Sequence, residues 1–226
     1  MLSVAPAGRG LLVVGHGTRS EQGCAEFLET VQCVAQRLPQ VAVQAAFLEL
    51  AEPTIGAALA QLAARGVRRV VVMPLLLFAA GHAKQDIPQA VAEAAREHPQ
   101  LQIQLTAHLG CHERLLALSA LRFEEAIDDE SGASPQETLW LMVGRGSREP
   151  SAWAEMERFV ALRQRFTPVA QARIAYLSMA EPSFAQLLPA IAELRFRRVV
   201  VQPHLLFHGE LLVTVGESVA IMAKKW

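Results

Sequence analysis

The sequence contains few cysteines, and their scarcity excludes two kinds of site. Cys24, Cys33 and Cys111 are too few for a disulfide framework and too scattered for a CxxC metal knuckle. We therefore expect three reduced, mostly buried thiols, as is usual in the cytoplasm.

An excess of one charge and a long apolar run are also missing. The 226 residues include 21 Lys and Arg and 22 Asp and Glu, so the formal net charge is −1. This balance gives no reason to expect nucleic acid or a membrane as a partner. The longest apolar run, residues 70–80, is too short to span a bilayer, and no signal peptide is visible. With 52% hydrophobic residues the chain can bury a sizeable core, and we expect a cytoplasmic enzyme.

The two halves of the chain repeat the same residues at a constant distance. Residues 51–53 (Ala-Glu-Pro) recur at 180–182, and residues 68–72 (Arg-Arg-Val-Val-Val) recur at 197–201, in each case 129 positions later. The same distance relates Gly15 to Gly144, Gly17 to Gly146, Arg19 to Arg148, and Pro74 to Pro203. We interpret the chain as a tandem duplication whose period is too long for a solenoid.

A polar, turn-rich segment at residues 128–135 separates the two copies and is predicted to be a linker. We expect an N-terminal domain at residues 1–129 and a degenerate C-terminal repeat at residues 137–226. The second copy has no counterpart of residues 98–127, which contain a strand-like and a helix-like segment. Either the second domain is truncated or a neighbouring chain completes it.

Short apolar segments alternate with longer amphipathic segments in each copy. In the first copy, strands are predicted at residues 11–14, 41–48 and 67–77, and helices at residues 21–38, 54–64 and 87–97. This alternation predicts two doubly wound α/β domains with parallel sheets.

Three residues with metal-binding side chains, His16, Glu49 and His82, each follow a predicted strand. Ligands bind beyond the carboxyl ends of the strands in such a sheet, so the three donors are expected to meet at one edge. Two imidazoles and a carboxylate suit iron or cobalt, and three protein ligands leave coordination sites open for a substrate. Taken singly, each residue has an ordinary alternative as a helix cap, a half-buried carboxylate or a turn residue.

The second copy lacks these donors. It carries Arg145, Ser178 and Leu211 at the equivalent positions, although the surrounding residues are retained. This loss indicates one catalytic half and one half with another role; ordinary divergence of a repeat is the alternative.

Three segments around the donors share a pattern with a known enzyme family. They are residues 14–19 (Val-Gly-His-Gly-Thr-Arg), 47–53 (Phe-Leu-Glu-Leu-Ala-Glu-Pro) and 74–88, which begins Pro-Leu-Leu-Leu-Phe and continues through Gly-His-Ala-Lys. In order, residue type and spacing they resemble the sirohydrochlorin cobaltochelatases and ferrochelatases, in a double-length form. The resemblance implies two flavodoxin-like, chelatase-like domains facing a cleft.

The resemblance also implies that His16, Glu49 and His82 bind metal and that Co²⁺ or Fe²⁺ is inserted into sirohydrochlorin for cobalamin or siroheme synthesis. The ion is then a substrate, and no permanently bound cofactor is expected. Two pyrrolic protons must leave as the metal enters, so we expect the histidines to accept protons. Glu49 is expected to offset the charge of the metal or to relay protons. The chain shows neither the histidine-rich segment nor the cysteine-rich tail of some members, so iron and cobalt both stay open.

Carboxylates on sirohydrochlorin require basic or hydrogen-bonding side chains at the site. The candidates are Arg145, Lys84, Arg19, Arg148 and His208. Arg145, which replaces a metal ligand, is the better candidate among the arginines, whereas Arg19 and Arg148 recur in both copies and are expected to tie down their loops. His208 is expected to contact substrate or an auxiliary metal.

The remaining histidines are given structural roles. His204 is expected in the interior, and His98, His108 and His112 at the surface or at helix caps.

Two other functions fit the same residues. A metal or tetrapyrrole carrier would keep the donors without turnover. A phosphate- or nucleotide-binding domain would use the turn at residues 15–18, but the GxGxxG and GxxxxGK[ST] motifs are missing. We expect sirohydrochlorin and a metal ion as partners, with no nucleic acid and no membrane, and the sequence is compatible with a homo-oligomer.

Overall fold

The strands form two parallel sheets, and each sheet is the centre of one α/β unit. The computed structural model describes residues 8–78, 82–127, 132–194 and 196–224. Unit 1 comprises Met1–Leu109 with Phe207–Gly209, and unit 2 comprises Gly110–Leu206 with Glu210–Trp226. The predicted fold class, two tandem doubly wound α/β domains, is confirmed.

The first three strands of each unit share one topology, and unit 1 adds a fourth strand. The strands are β1 (Arg9–Gly15), β2 (Ala42–Phe47), β3 (Arg69–Pro74), β4 (Gln102–Leu105), β5 (Thr138–Gly144), β6 (Gln171–Tyr176) and β7 (Arg198–Pro203). The helices are α1 (Glu21–Arg37), α2 (Ile55–Ala64), α3 (His82–Glu97), α4 (Glu113–Ala126), α5 (Pro150–Arg163), α6 (Phe184–Ala192) and α7 (Glu210–Ala223), with 3-10 turns at Pro135–Glu137 and Gln164–Phe166. The strand order is β2-β1-β3-β4 in unit 1 and β6-β5-β7 in unit 2, and all the pairings are parallel.

The central strand of unit 1 begins with the exposed Arg9 and is apolar from Gly10 to Gly15, because helices cover both faces of its sheet. Leu12 and Val14 belong to the cluster that includes α2 and α3, whereas Val13 belongs to the cluster with Phe27 of α1. Successive side chains of a strand point to opposite faces, so a strand covered on both sides has no polar face. Burying Phe27 contributes about 2–3 kcal/mol and holds α1 against the sheet.

Two details differ from the sequence expectations. Helix α3 begins at His82 instead of Ile87 and contains Pro88, so it gives up the one backbone hydrogen bond that proline cannot donate. The three cysteines are free, but the expectation that they are mostly buried is wrong, because Cys33 is exposed and the other two are half-buried. No helix in the described ranges is long and apolar enough to cross a bilayer.

Helix α4 lies in the first sequence repeat but packs in unit 2, against α5 and β7. The Phe123 ring meets the Trp140 ring edge-on at 6.0 Å. The amide of Gln202 accepts a hydrogen bond from Trp140 Nε1 (3.0 Å) and donates one to the carbonyl oxygen of Ser119 (2.9 Å). The compact units and the sequence repeats therefore divide the chain at different places. Residues 128–131 of the predicted linker lie outside the described residues.

A buried arginine, Arg163, anchors α4 to unit 2. Its Nε and Nη2 donate hydrogen bonds to the hydroxyl (3.2 Å) and carbonyl (2.9 Å) oxygens of Ser119, and Nη1 donates to the hydroxyl of Thr167. The guanidinium carbon lies 5.2 Å from the centroid of the Trp140 ring and 5.8 Å from that of Phe123. Burial lowers the pKa of Arg163 to about 10, so the side chain is charged at neutral pH. Oriented oxygens and aromatic faces thus replace its hydration.

We expect Arg163→Ala to lower the free energy of unfolding of unit 2 by about 3 kcal/mol, because it leaves a cavity and unpaired oxygens. Arg165→Ala, at an exposed position two residues away, is the control and should change it by less than about 0.5 kcal/mol. Tryptophan fluorescence during urea unfolding reports on unit 2, since Trp140 is buried and Trp153 half-buried in it. Equal urea midpoints for the two variants would contradict the anchoring role.

His204 lies in the interior of unit 2, as predicted, with its ring 4.3 Å from the ring of Phe159. Burial lowers the pKa of His204 from its ordinary value of 6.5 to about 4. Above pH 6.5 the ring is neutral in folded and unfolded chains. Between pH 6.5 and 4 only the unfolded chain takes up the proton, so stability falls as the pH falls.

We expect His204→Leu, which introduces the residue found at position 75 of the first copy, to remove this acid sensitivity. The difference in unfolding free energy between wild type and variant should change by about 3 kcal/mol between pH 7 and 4. Urea unfolding at a series of pH values measures it. Parallel curves for the two proteins would show that His204 does not titrate in this way.

Candidate metal centre

Backbone hydrogen bonds extend the pairing of β1 and β2 beyond the ends of the two strands. The N–H of Leu48 donates to the carbonyl of Gly15 (2.9 Å), and the N–H of Glu49 donates to the carbonyl of His16 (3.0 Å). These bonds continue the strand register, in which Gly15 is paired with Phe47. As a result, His16 and Glu49 lie side by side at the carboxyl edge of the sheet, as predicted.

A glycine at position 17 makes this approach possible. Gly17 has a φ of +95°, and a Cβ atom at this position would lie 1.7 Å from the carbonyl oxygen of Glu49. We call this close approach of the Glu49 backbone to Gly17 the backbone crossing. Directly after Glu49, Leu50 adopts a left-handed φ of 64°, which costs roughly 1–2 kcal/mol for a residue with a side chain. The chain then turns into α2, which Thr54 caps by accepting a hydrogen bond from Ala57 N.

The side chains of His16 and Glu49 converge. His16 Nδ1 lies 3.3 Å from Glu49 Oε1, and the side chains are 36% and 54% exposed. The two atoms are close but not aligned as a hydrogen bond, and Nδ1 has no hydrogen-bond partner in the described part of the chain. Two ligands that each lie about 2.1 Å from one divalent ion are separated by roughly 3.0–3.4 Å. The pair is therefore spaced to share an ion.

The third predicted donor, His82, is the first residue of α3, and its side chain lies outside the described residues. Helix α3 follows β3, which pairs with β1, and the N–H of Leu75 donates to the carbonyl of Val14 (2.8 Å). Among the side chains that are described, no group of three or more His, Cys, Asp or Glu comes together. The structure thus brings together two of the three predicted donors.

The predicted substrate-binding cations are exposed. Arg19 and Arg148 are exposed, and their expected roles, in tying down the loops or in binding substrate, stay predictions. Arg145 is exposed in unit 2, with its carbonyl accepting from the N–H of Ser178 (3.0 Å). Lys84 is exposed in the first turn of α3.

His208 belongs to unit 1, although it follows β7 in the chain. Its N–H donates to Glu26 Oε2 (2.7 Å), and this bond is the main reason why the pKa of the Glu26 carboxyl is lowered. Sequence analysis does not single out Glu26. It is a carboxylate on an amphipathic helix, and no local pattern marks it. His112 caps α4 by accepting a hydrogen bond from Arg114 N, as expected.

Unit 2 repeats the scaffold of this site without its donors. The N–H groups of Leu177 and Ser178 donate to the carbonyls of Gly144 and Arg145, and Gly146 has a φ of +92°. A Cβ atom at position 146 would lie 1.7 Å from the carbonyl oxygen of Ser178, the same distance as at Gly17. The backbone crossing is therefore a property of the fold, whereas the candidate donors His16 and Glu49 are found in unit 1 and are replaced by Arg145 and Ser178 in unit 2.

Comparison with known proteins gives the same family for both halves. The sequence profile of the CbiX family matches residues 10–126 and 139–225. A sirohydrochlorin ferrochelatase of Priestia megaterium is 28% identical over 208 residues, which cover 92% of this chain and 77% of that protein. A sirohydrochlorin cobaltochelatase of the same organism is 28% identical over 213 residues, covering 93% of this chain and 68% of that protein.

A solved structure agrees with these sequence matches. SirB from Bacillus subtilis with Fe³⁺ superposes with a TM-score of 0.80 at 26% identity, over 95% of this chain and 83% of that chain. Since the profile covers most of both repeats and the fold is shared along the chain, this protein belongs to the CbiX family.

Proposed function

We propose that this chain is a sirohydrochlorin chelatase, which inserts Fe²⁺ or Co²⁺ into the tetrapyrrole for siroheme or cobalamin synthesis. The observation that carries the proposal is the 3.3 Å approach of His16 Nδ1 and Glu49 Oε1 at the carboxyl edge of the sheet. Relatives named as ferrochelatase and as cobaltochelatase are similar over most of the chain, so both metals are candidates. The cytoplasm is the proposed location.

In this proposal the divalent ion is a substrate held by His16, Glu49 and His82. The tetrapyrrole nitrogens occupy the coordination sites that three protein ligands leave open. Metal and free-base tetrapyrrole give the metal complex and two protons. As the ion passes from the imidazoles to the tetrapyrrole nitrogens, the freed imidazole nitrogens accept these protons, and Glu49 offsets the charge of the incoming ion or relays protons.

Exposed cations are proposed to hold the carboxylates of the tetrapyrrole. Arg145, Arg19 and Arg148 carry guanidinium groups that can bind a carboxylate through two parallel hydrogen bonds, and Lys84 adds a point charge near the start of α3.

Multiple turnover separates this enzyme from a carrier. With Fe²⁺ or Co²⁺ and an excess of sirohydrochlorin under anaerobic conditions, absorbance should show many metallated products per protein chain. We expect His16→Ala, His82→Ala and Glu49→Gln each to reduce the rate by 10²-fold or more, since both metal binding and proton transfer are affected. His98→Ala, at the residue that follows α3, is the control. One product per chain, or normal kinetics in H82A, would contradict the assignment.

The glycine pair offers a second test, because the same steric change can be made in both units. Gly17→Ala and Gly146→Ala each place a methyl group against a carbonyl oxygen, so both should destabilise their unit by several kcal/mol. Only G17A separates His16 from Glu49. We therefore expect Co²⁺ affinity, measured by calorimetry, to fall at least tenfold in G17A and to be retained in folded G146A. Equal Co²⁺ affinities would mean that the crossing does not form the metal site.

A further inference from the structure

The segment Phe207–Gly209 follows β7 in the second repeat, but it is built into unit 1. We propose that His208 donates a hydrogen bond to a carboxylate of the tetrapyrrole and that Glu26 of α1 is the residue that positions it. This inference rests on the proposed chelatase function and assigns one more substrate contact to the same unit.

Glu26 fixes the backbone of His208. Its Oε2 atom accepts a hydrogen bond from the His208 N–H (2.7 Å), and its Oε1 atom accepts one from Gln22 Nε2 (3.0 Å), one turn earlier in α1. Gln22 thus orients the carboxylate of Glu26, and this carboxylate in turn holds the backbone N–H of His208. A bond from an N–H to a charged acceptor is stronger than one between neutral groups.

Two further residues of α1, Gly23 and Phe27, lie against the same segment. A Cβ atom on Gly23 would lie 2.3 Å from the carbonyl oxygen of His208, so only glycine lets the segment approach this closely. The ring of Phe207 packs edge-on against that of Phe27, with centroids 5.8 Å apart. Positions 23, 26 and 27 share one face of the helix, so α1 contacts three successive groups of the segment.

This segment borders the loop that carries His16. The point that a Gly23 Cβ would occupy is 2.3 Å from the His208 carbonyl oxygen and 3.0 Å from Thr18 Cγ2, and Thr18 is two residues beyond His16. Helix α1 starts directly after this loop, with Ser20 as its N-cap. A tetrapyrrole that reaches the ion at His16 therefore passes close to position 208.

The imidazole of His208 suits a carboxylate better than a metal ion. Its Nδ1 atom is covered and has no hydrogen-bond partner within the described ranges, which leaves Nε2 as the ring nitrogen that can contact a ligand. Nε2 is then a donor for an anionic oxygen. Among described side chains His208 joins no group of three metal-binding residues. The equivalent position in the first repeat is Ala79, which offers no donor.

The proposal can be tested without turnover by measuring the binding of metal-free sirohydrochlorin, with the quenching of its fluorescence as the signal. We expect His208→Ala and Glu26→Ala each to weaken binding about tenfold, as loss of a hydrogen bond to a charged group implies. Glu26→Gln should stay near wild type, because the amide oxygen can accept the same bond. Glu29→Ala, an exposed carboxylate on α1, is the control. In the insertion assay H208A should raise KM for the tetrapyrrole and leave the Co²⁺ dissociation constant unchanged.

Unchanged tetrapyrrole affinity in H208A would overturn the proposal, as would an E26A variant that matches E29A. A loss of Co²⁺ affinity in H208A with normal tetrapyrrole binding would also overturn it, because it would assign His208 to the metal. Since the affinities are measured without insertion, a protein that binds sirohydrochlorin through His208 but does not metallate it would refute only the chelatase function. Thermal unfolding of each variant verifies that it is folded.

Discussion

The approach of the Glu49 backbone to Gly17 is the constraint on which the candidate site depends. Two N–H···O bonds carry the pairing of β1 and β2 past the strand ends, and the missing side chain at position 17 lets the carbonyl of Glu49 pass. The backbone therefore brings the imidazole of His16 in one loop next to the carboxylate of Glu49 in the next loop. The left-handed Leu50 is the conformational cost of this crossing. The fold tolerates this cost because both loops follow strands that are paired along their length.

Comparison with unit 2 separates the backbone geometry of this arrangement, which both units have, from its side chains, which differ between them. It has the same parallel pairing and a glycine, Gly146, at the crossing, and Met179 is left-handed at the position equivalent to Leu50. It carries arginine and serine in place of the donors. The duplicated units share the backbone of the candidate site, and the candidate donors His16 and Glu49 lie in unit 1. The second repeat contributes to the proposed activity in another way, by supplying the segment that includes His208 to unit 1.

Sequence reasoning predicts the strands, the parallel sheets and the proximity of His16 to Glu49, because all three follow from periodicity and from the rule that strand ends share an edge. It does not predict that α4 packs in unit 2, since an amphipathic helix does not encode which sheet covers its apolar face. The roles of Arg163 and Glu26 are not predictable from the sequence for a related reason. Each acts through partners far away in sequence, and nothing in the residues beside them marks the contact.

Shared binding of one ion by His16, Glu49 and His82 can be tested by a crystal structure of the protein soaked with Co²⁺, with the ion located by its anomalous scattering. We expect one cobalt ion bonded to His16 Nδ1, Glu49 Oε1 and a nitrogen of His82, at about 2.0–2.2 Å from each, with its remaining coordination sites open. An ion bound by His16 or His82 without Glu49, or cobalt found only at other residues, would contradict it.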